Sequence, residues 1–332
     1  MNDMIIKTSS YPYSIGWAVT NKCNLRCIHC NMNSGDMLNN ELSLEESYTL
    51  LDELSKNHVQ KITFFGGEPF MRKDFLQIVD YAFKKGFFLN VTTNSLLITD
   101  DIIKNDLYKF ELVRVSLDGP NAECHEFIRN KKGSFEKTIN NIRKMIEQGI
   151  DVGVVTVISH KNIKLLKEMI ELLKDLKIKQ WFLPLLSTAG RGSSLDYLTL
   201  NPLEVKEFLI EIDNLTKDVP FIVNLDLPYN VLLKCRNPRL KASCPAGITE
   251  AAIFANGDVS PCCEIPVIGG NIREDSIYNI WNHSKVFVEF RNRGLVKGKC
   301  GECPFLMNCG GCRANAYIKY LDYLEGDDVC WK

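Results

Sequence analysis

The 332-residue sequence lacks the bulk features of a membrane protein or a nucleic-acid-binding protein. No apolar run approaches the ~20 residues that span a membrane, and the segment Met1–Tyr11 has no signal-peptide pattern. Forty basic and 41 acidic side chains leave a net charge of −1. That balance gives no electrostatic basis for binding nucleic acid or a membrane surface. We therefore expect a cytoplasmic protein with neither kind of partner.

Cysteine, in contrast, is abundant. The chain contains 13 cysteines, and a protein without a secretion signal keeps its thiols reduced, so a disulfide framework is not expected. Three cysteines fall between Cys23 and Cys30, Cys124 stands alone, and the other nine lie between Cys235 and Cys330. Clusters of this kind favour metal or iron–sulfur ligation.

The first two thirds of the chain alternate strand-like and helix-like patterns. Helical patterns at Lys73–Lys85, Phe135–Gln148 and Ile163–Leu176 separate apolar, β-rich runs. Ser43, with Glu46 three residues later, predicts a further helix that begins with a capping box. This alternation predicts a parallel α/β sheet or partial barrel, whose ligands bind at the carboxyl ends of the strands. The six predicted strands are Ser14–Thr20, Lys61–Phe65, Phe88–Thr92, Leu112–Leu117, Asp151–Ile158 and Gln180–Leu183.

The alternation stops after Pro184. From about Phe221 onward the chain shows short strands, turns and cysteines, and Asn256-Gly257 predicts a β-hairpin with a type I′ turn. We therefore predict two domains, a larger one at 12–215 and a smaller, cysteine-rich one at 221–332.

Cys23, Cys27 and Cys30 form a Cx3Cx2C triplet directly after the first predicted strand. One loop with this spacing can wrap three thiolates around a cubane cluster and leave the fourth iron without a protein ligand. The alternatives are a zinc site or three incidental loop cysteines. Zinc normally takes a fourth protein ligand, and His29, between two of the cysteines, is poorly placed to provide it.

The triplet and the segment Gly66-Gly67-Glu68-Pro69, which follows the second predicted strand, together resemble the radical S-adenosylmethionine (SAM) superfamily. The resemblance implies a partial (β/α)6 TIM-like barrel and a [4Fe–4S] cluster whose open iron chelates SAM. It also implies reductive cleavage of SAM to a 5′-deoxyadenosyl radical that abstracts hydrogen from a substrate. A flavodoxin- or ferredoxin-type protein would then donate the electron.

The same resemblance indicates which residues contact SAM. Gly66 and Gly67 would let the backbone approach the methionyl end of SAM, beside Glu68, because a side chain there would collide with it. Weaker candidates follow the later strands, and each could equally be a cap or turn residue. These candidates are Asn94, Ser116, Asp118 and Arg129.

The C-terminal cysteines resemble the SPASM or twitch extension, which houses auxiliary [4Fe–4S] clusters. The implied number of auxiliary clusters is two, and zinc ribbons are the alternative. Two residues separate Cys309 from Cys312, where the usual SPASM spacing is three. One cluster would take Cys244, Cys262 and Cys312, with either Cys235 or an open position as the fourth; the other would take Cys300, Cys303, Cys309 and Cys330.

Two cysteines remain after this assignment. Cys124 is most simply a small buried residue at a helix start. Cys263 directly follows an expected ligand and has a candidate catalytic role. It could give a hydrogen atom to a substrate radical, as in some peptide epimerases of this class, or it could be an incidental neighbour or an alternative ligand.

The substrate has no readable signature in the sequence. The resemblance favours a ribosomally made peptide that undergoes thioether formation, crosslinking or epimerisation. Only 22 residues precede Cys23, too few for a winged-helix leader-binding module, so we expect a leader-binding element to be either a separate protein or absent. The alternatives are tetrapyrrole side-chain modification, sugar dehydrogenation, a non-catalytic iron–sulfur electron carrier and a zinc-binding interaction protein.

Overall fold

An eleven-stranded sheet organises the part of the chain that the structure describes. The structure is a computed structural model and describes residues 4–232, 237–242 and 244–332. The strands are β1 (Ser14–Thr20), β2 (Lys61–Gly66), β3 (Phe88–Thr93), β4 (Leu112–Ser116), β5 (Val152–Val155), β6 (Gln180–Phe182), β7 (Ile222–Leu225), β8 (Leu240–Ala242), β9 (Glu250–Ile253), β10 (Asp258–Ser260) and β11 (Gly270–Asn271).

Strands β1 to β8 follow one another in the sheet in chain order and pair in parallel. On the other side of β1, β9 also pairs in parallel, and β10 and β11 continue the sheet in antiparallel fashion. All six predicted strands are present, with ends that differ by at most three residues. The predicted boundary between 215 and 221 falls just before β7, and the sheet continues across it.

Helices connect the parallel strands and follow the hairpin. The predicted helix around Ser43 begins with a capping box, in which Ser43 Oγ accepts from the Glu46 N–H and Glu46 accepts from the Ser43 N–H. The helices are α1 (Leu44–Lys56), α2 (Phe75–Lys84), α3 (Asp100–Asn105), α4 (Ala122–Arg129), α5 (Ser134–Glu147), α6 (Leu166–Leu176), α7 (Pro202–Leu215), α8 (Ile277–His283), α9 (Lys285–Arg291), α10 (Gly298–Gly301) and α11 (Arg313–Tyr320).

The main core lies between the sheet and these helices. Every residue of β1 is buried, as expected for a central parallel strand that is covered on both faces. Large side chains such as Trp17, Phe64 and Trp181 are fully buried in this core. The core thereby fixes the carboxyl ends of β1 to β4, where the cysteine triplet and the candidate SAM contacts are found.

The hairpin between β9 and β10 differs from its predicted turn. A type I′ turn requires a positive φ at both central residues, but φ is not positive at Asn256. Four residues, Phe254–Gly257, separate the strands, the Gly257 N–H donates to Phe254 O at 2.9 Å, and Gly257 has a φ of +88°. The predicted hairpin is present, and the predicted turn type is wrong.

Among the described residues, none of the helices combines the length and apolar character needed to cross a membrane.

Candidate functional site

The loop between β1 and α1 carries Cys23, Cys27 and Cys30, and we call residues 21–36 the cluster loop. Its thiols receive hydrogen bonds from the loop's own backbone. The Leu25 N–H donates to Cys23 Sγ at 3.4 Å, and the Ser34 N–H donates to Cys30 Sγ at 3.4 Å. The three thiols lie close enough to interact electrostatically. Amide donors directed at sulfur favour the thiolate form, which is the form that binds metal.

Burial shapes the acidity of these thiols. It raises the pKa of Cys23 to about 11; it also raises the pKa of Cys27, and Arg129 opposes that shift. Cluster binding must therefore release protons from the two thiols. In the described part of the chain, no group of three or more His, Cys, Asp or Glu side chains has the geometry of a single-ion metal site.

A buried ion pair lies behind Cys27. The Asp118 carboxylate, with no exposed surface, lies 2.6 Å from Arg129 Nε and 3.6 Å from His29 Nε2. Its other oxygen accepts from the Val157 N–H at 3.0 Å. Asp118 and Arg129, two expected SAM contacts, thus bind each other.

The charges of this pair decide the protonation states around it. Burial disfavours the Asp118 carboxylate, but Arg129 and His29 lower its pKa below the ordinary value. Burial lowers the pKa of His29 to about 4 and that of His125, whose Nδ1 accepts from the Asp118 N–H, also to about 4. Both imidazoles are therefore neutral near pH 7, and the net charge of the network is that of the Asp118–Arg129 pair.

Two glycines at the end of β2, Gly66 and Gly67, dock that strand against the end of β1 and the start of the cluster loop. A Cβ on Gly66, whose φ is +133°, would lie 2.4 Å from Thr20 O, and a Cβ on Gly67 would lie 2.2 Å from Lys22 O. The Gly67 N–H also donates to Thr20 O at 2.8 Å. The sequence analysis explained these glycines by the approach of SAM, whereas the fold already requires them for the approach of the cluster loop.

Glu68 joins the ends of β2 and β3. It is fully buried, and its carboxylate accepts from Thr93 Oγ1 at 2.7 Å and from the Asn94 N–H at 2.8 Å. Burial raises the pKa of Glu68 to about 7 despite these bonds. Asn94 Nδ2 in turn donates to Asn24 Oδ1 in the cluster loop at 2.7 Å. Ser116, another expected SAM contact, is half-buried at the end of β4.

Sequence analysis missed the segment that covers the cluster loop from the far side. Arg191 Nε donates to Cys27 O at 2.8 Å, and Arg191 Nη1 donates to Ser34 O at 2.7 Å. Gly190 has a φ of +57°, and a Cβ there would lie 2.5 Å from Cys30 O. The available signal was Gly190-Arg191-Gly192 shortly after β6, within a segment predicted only as a loop.

The C-terminal cysteines come together in two groups. In the first group, the thiols of Cys244, Cys262 and Cys312 interact electrostatically and line one cavity. Cys235, the candidate fourth ligand of that group, lies outside the described residues.

The second group is formed by Cys300, Cys309 and Cys330, whose thiols also interact electrostatically. Cys309 additionally borders the cavity of the first group. Half-buried Cys303 follows Cys300 by three residues, and its N–H donates to Cys300 O at 3.2 Å. The described cysteines of the first expected ligand set, and three of the four cysteines of the second, thus lie near one another, and their ligation of clusters stays a prediction.

The two cysteines outside these groups differ in environment. Cys124 is buried, and its sulfur lies 3.5 Å from Asp118 O, as expected of a packing residue. Cys263 is half-buried, and its thiol lies within hydrogen-bonding range of Cys262.

Two acidic residues that sequence analysis missed lie between the cluster loop and the cysteine-rich part. Glu264 follows Cys263, and its carboxyl group lies close to the side chains of Asn31 and Ser187. Asp226 follows β7 and interacts electrostatically with Glu264 and Arg114. Burial raises the pKa of both carboxyls, although Asp226 is accessible to solvent.

Two family descriptions match this sequence. Residues 17–177 match the Radical SAM superfamily, and residues 244–304 match SPASM, an iron-sulfur cluster-binding domain. The first match contains the cluster loop and the ends of β1 to β5. The second begins at Cys244 and ends just after Cys303.

Curated relatives of known name align over almost the whole chain. The AdoMet-dependent heme synthase of Methanosarcina barkeri is 28% identical, and the alignment covers 98% of each chain. The mycofactocin maturase MftC of Mycolicibacterium smegmatis is 30% identical over 96% of this chain and 82% of its own. The subtilosin biosynthesis protein AlbA of Bacillus subtilis is 28% identical over 94% of this chain and 68% of its own.

Solved structures show the same fold. SuiB of Streptococcus suis, bound to S-adenosylmethionine, superposes with a TM-score of 0.78 at 17% identity, covering 97% of this chain and 78% of SuiB. The anSMEcpe structure with AdoMet and the Cp18Cys peptide gives a TM-score of 0.71 at 18% identity, covering 94% and 93%. These likenesses confirm the predicted partial TIM-like barrel. The chain therefore belongs to the radical SAM superfamily and carries a C-terminal SPASM domain.

Proposed function

We propose that this protein cleaves SAM at a [4Fe–4S] cluster held by Cys23, Cys27 and Cys30 and uses the resulting radical to modify a ribosomally made peptide. The observation that carries the proposal is the set of three thiols on one loop, each with its own hydrogen-bond donor. When bound, the cluster supplies one electron that splits SAM into methionine and a 5′-deoxyadenosyl radical.

The chain's own residues would bind SAM at the strand ends beside this loop. We assign SAM contacts to the backbone of Gly66 and Gly67 and to the Glu68, Asn94 and Ser116 side chains, which lie at the ends of β2, β3 and β4. Asp118 and Arg129 would instead support the Cys27 thiolate from behind, because their charges are already paired with each other.

We further propose two auxiliary [4Fe–4S] clusters. One would be held by Cys244, Cys262 and Cys312, with Cys235 or an open position as its fourth ligand. The other would be held by Cys300, Cys303, Cys309 and Cys330. Arg293 and Arg313 border the first cysteine group, so cations face the negative charge that the bound cluster and its thiolates would carry.

The substrate would bind between the cluster loop and the segment after β10 that carries Cys262 and Cys263. Glu264 borders this space, since its carboxyl group lies close to Asn31 of the cluster loop. Asp226 and Glu264 make the space acidic, which suits peptide N–H groups or a basic side chain. Relatives and structural neighbours named as peptide-modifying or peptide-bound proteins, including MftC, AlbA and SuiB bound to precursor peptide SuiA, support the same substrate class.

Tetrapyrrole modification is the second candidate function. It is favoured by the alignment with the Methanosarcina barkeri heme synthase, which covers 98% of both chains. Asp226 and Glu264, however, are acidic side chains, and neither offers a cationic partner to the propionates of a tetrapyrrole. We therefore rank the peptide substrate first.

Cys263 would serve as a hydrogen-atom donor if the reaction is an epimerisation. Its S–H bond would break as a C–H bond forms on the substrate radical. The thiyl radical left behind would take up one electron and one proton, and adjacent Cys262 links the position to an auxiliary cluster that can supply the electron. In D2O, the wild type would then place deuterium in the peptide product, and Cys263→Ala would not.

The test of the main proposal uses reduced, anaerobically purified protein with SAM. We would measure 5′-deoxyadenosine and product mass with candidate peptides, with reduced flavodoxin or ferredoxin as the electron source and with a leader-binding protein where one accompanies the peptide. Addition of iron-coproporphyrin provides the competing condition. A peptide mass change, or deuterium uptake by the peptide in D2O if the reaction is an epimerisation, supports the first proposal. A porphyrin mass change supports the second, and the absence of 5′-deoxyadenosine would favour a non-catalytic iron–sulfur carrier.

A further inference from the structure

Asp327, a residue that sequence analysis did not single out, lies between the two groups of C-terminal cysteines. It has no exposed surface. One carboxylate oxygen accepts from the Cys312 N–H at 2.7 Å and from the Tyr229 hydroxyl. The other accepts from Asn315 Nδ2 at 3.3 Å and from the Val329 N–H at 3.1 Å. Four donors thus meet the four acceptor positions of an ionised carboxylate.

The backbone of Asp327 contacts the second cysteine group. Its N–H donates to Cys300 Sγ at 3.3 Å, and its carbonyl accepts from the Cys330 N–H at 3.3 Å. The side chain of the same residue holds the backbone of Cys312, which belongs to the first group. Asp327 therefore connects one expected ligand of the first auxiliary cluster to two expected ligands of the second.

Tyr229 extends this connection to the barrel. It lies in the helical turn Pro228–Leu232 that follows β7, is fully buried, and packs edge-on against Trp331 with ring centroids 6.0 Å apart. Its hydroxyl also accepts from Asn315 Nδ2 at 3.1 Å. The phenol thus ties the sheet to the cysteine-rich part through a single carboxylate, 98 residues away in the chain.

We propose that Asp327 is a positioning residue that fixes both auxiliary clusters relative to each other and to the barrel, and that its charge lowers both reduction potentials. The inference rests on the proposed ligand sets. Hydrogen bonds to cluster sulfurs and charges beside a cluster set its potential. A buried carboxylate in contact with ligands of both clusters would therefore act on both together.

An amide could not replace this carboxylate. Asparagine would keep one oxygen acceptor. Its NH2 group would replace the other oxygen and would face the two donors that now bind there. The Tyr229→Phe change has the opposite electrostatic effect, because the carboxylate keeps its charge and loses a donor that partly neutralises it. The two variants should therefore move the potentials in opposite directions.

The test is done in a Cys23→Ala/Cys27→Ala/Cys30→Ala background, so that only auxiliary clusters contribute to the signal. We would measure iron per chain and follow both clusters by EPR during a redox titration, for Asp327→Asn, Tyr229→Phe and the control Asp322→Asn. Asp322 lies in the same segment but pairs with Lys297 on the surface. We expect roughly eight irons in the background protein.

We expect both potentials to become more positive in Asp327→Asn and more negative in Tyr229→Phe, with no change in Asp322→Asn. If Asp327→Asn no longer binds its clusters, the shift of the reduction potentials in Tyr229→Phe tests the proposal by itself. Background protein that binds roughly eight irons but shows no shift in either variant, or a shift in one cluster only, would overturn the role of Asp327 alone. Background protein without iron would overturn both this inference and the proposed ligand sets.

Discussion

Arg129 Nη1 lies 3.8 Å from the sulfur of Cys27, and the two residues are 102 positions apart in the chain. Both residues are buried. Because Asp118 neutralises the guanidinium from the other side, Arg129 presents a directed donor to the sulfur without adding a net charge to the site. This arrangement stabilises a thiolate, and the cluster it would hold, at the back of the cluster loop.

Replacing Arg129 by Met should destabilise the protein. Asp118 would keep a buried carboxylate without its cation, and breaking a buried pair in this way costs about 3–5 kcal/mol. Chemical denaturation of the apoprotein at pH 7 measures the loss. The double variant Asp118→Asn/Arg129→Met should regain part of the free energy of unfolding. If Arg129→Met unfolds at the same denaturant concentration as wild type, the pair has no structural role.

Gly67→Ala should displace the cluster loop. The new Cβ would lie 2.2 Å from Lys22 O, a backbone atom that can move only with the loop, at a cost of roughly 1–3 kcal/mol. We expect fewer irons per chain than in the wild type. The nine cysteines from Cys235 to Cys330 are intact in this variant, so the loss would come from the SAM cluster. Gly294→Ala is the matched control, because its nearest contact is a side-chain atom at 3.2 Å. Equal iron content in both variants would contradict the docking role of Gly67.

His125 should make the protein less stable in acid. Burial lowers its pKa from 6.5 to about 4, so between these values the unfolded chain binds a proton that the folded chain does not. The free energy of unfolding should fall as the pH drops through this window, by up to about 3 kcal/mol at 1.36 kcal/mol per pKa unit. Stability curves from pH 7 to pH 4 for His125→Asn should be flatter than wild type, while the exposed His283→Asn should follow wild type. Parallel curves for His125→Asn and wild type would contradict the assignment.

Local patterns predicted much of the fold. The six parallel strands and the capped helix α1 follow from apolar runs and from Ser43 with Glu46, because these signals act over a few residues. The hairpin at Asn256-Gly257 was also predicted, but its turn type was not. There Gly257 alone has a positive φ, since four residues separate the strands.

Contacts between distant segments could not be predicted in the same way. Arg191 holds a carbonyl of Cys27 across 164 residues, and Tyr229 meets Asp327 across 98. Such pairs leave no periodic pattern in the sequence, because the path of the chain through the sheet brings the two residues of each pair together. The cysteine spacing indicated the cluster loop, whereas the collision that requires Gly67 comes from Lys22 O and becomes visible only in the folded chain.

The most direct test of the central claim is SAM cleavage by the reduced protein, measured as 5′-deoxyadenosine by mass spectrometry alongside iron content. We expect roughly 12 irons per chain in the wild type, 5′-deoxyadenosine above background, and loss of that product in Cys23→Ala, Cys27→Ala and Cys30→Ala. Cys124→Ala, a change at a packing residue, should retain it. Zinc in place of iron, or undiminished 5′-deoxyadenosine in Cys27→Ala, would contradict the claim that this loop holds the SAM-cleaving cluster.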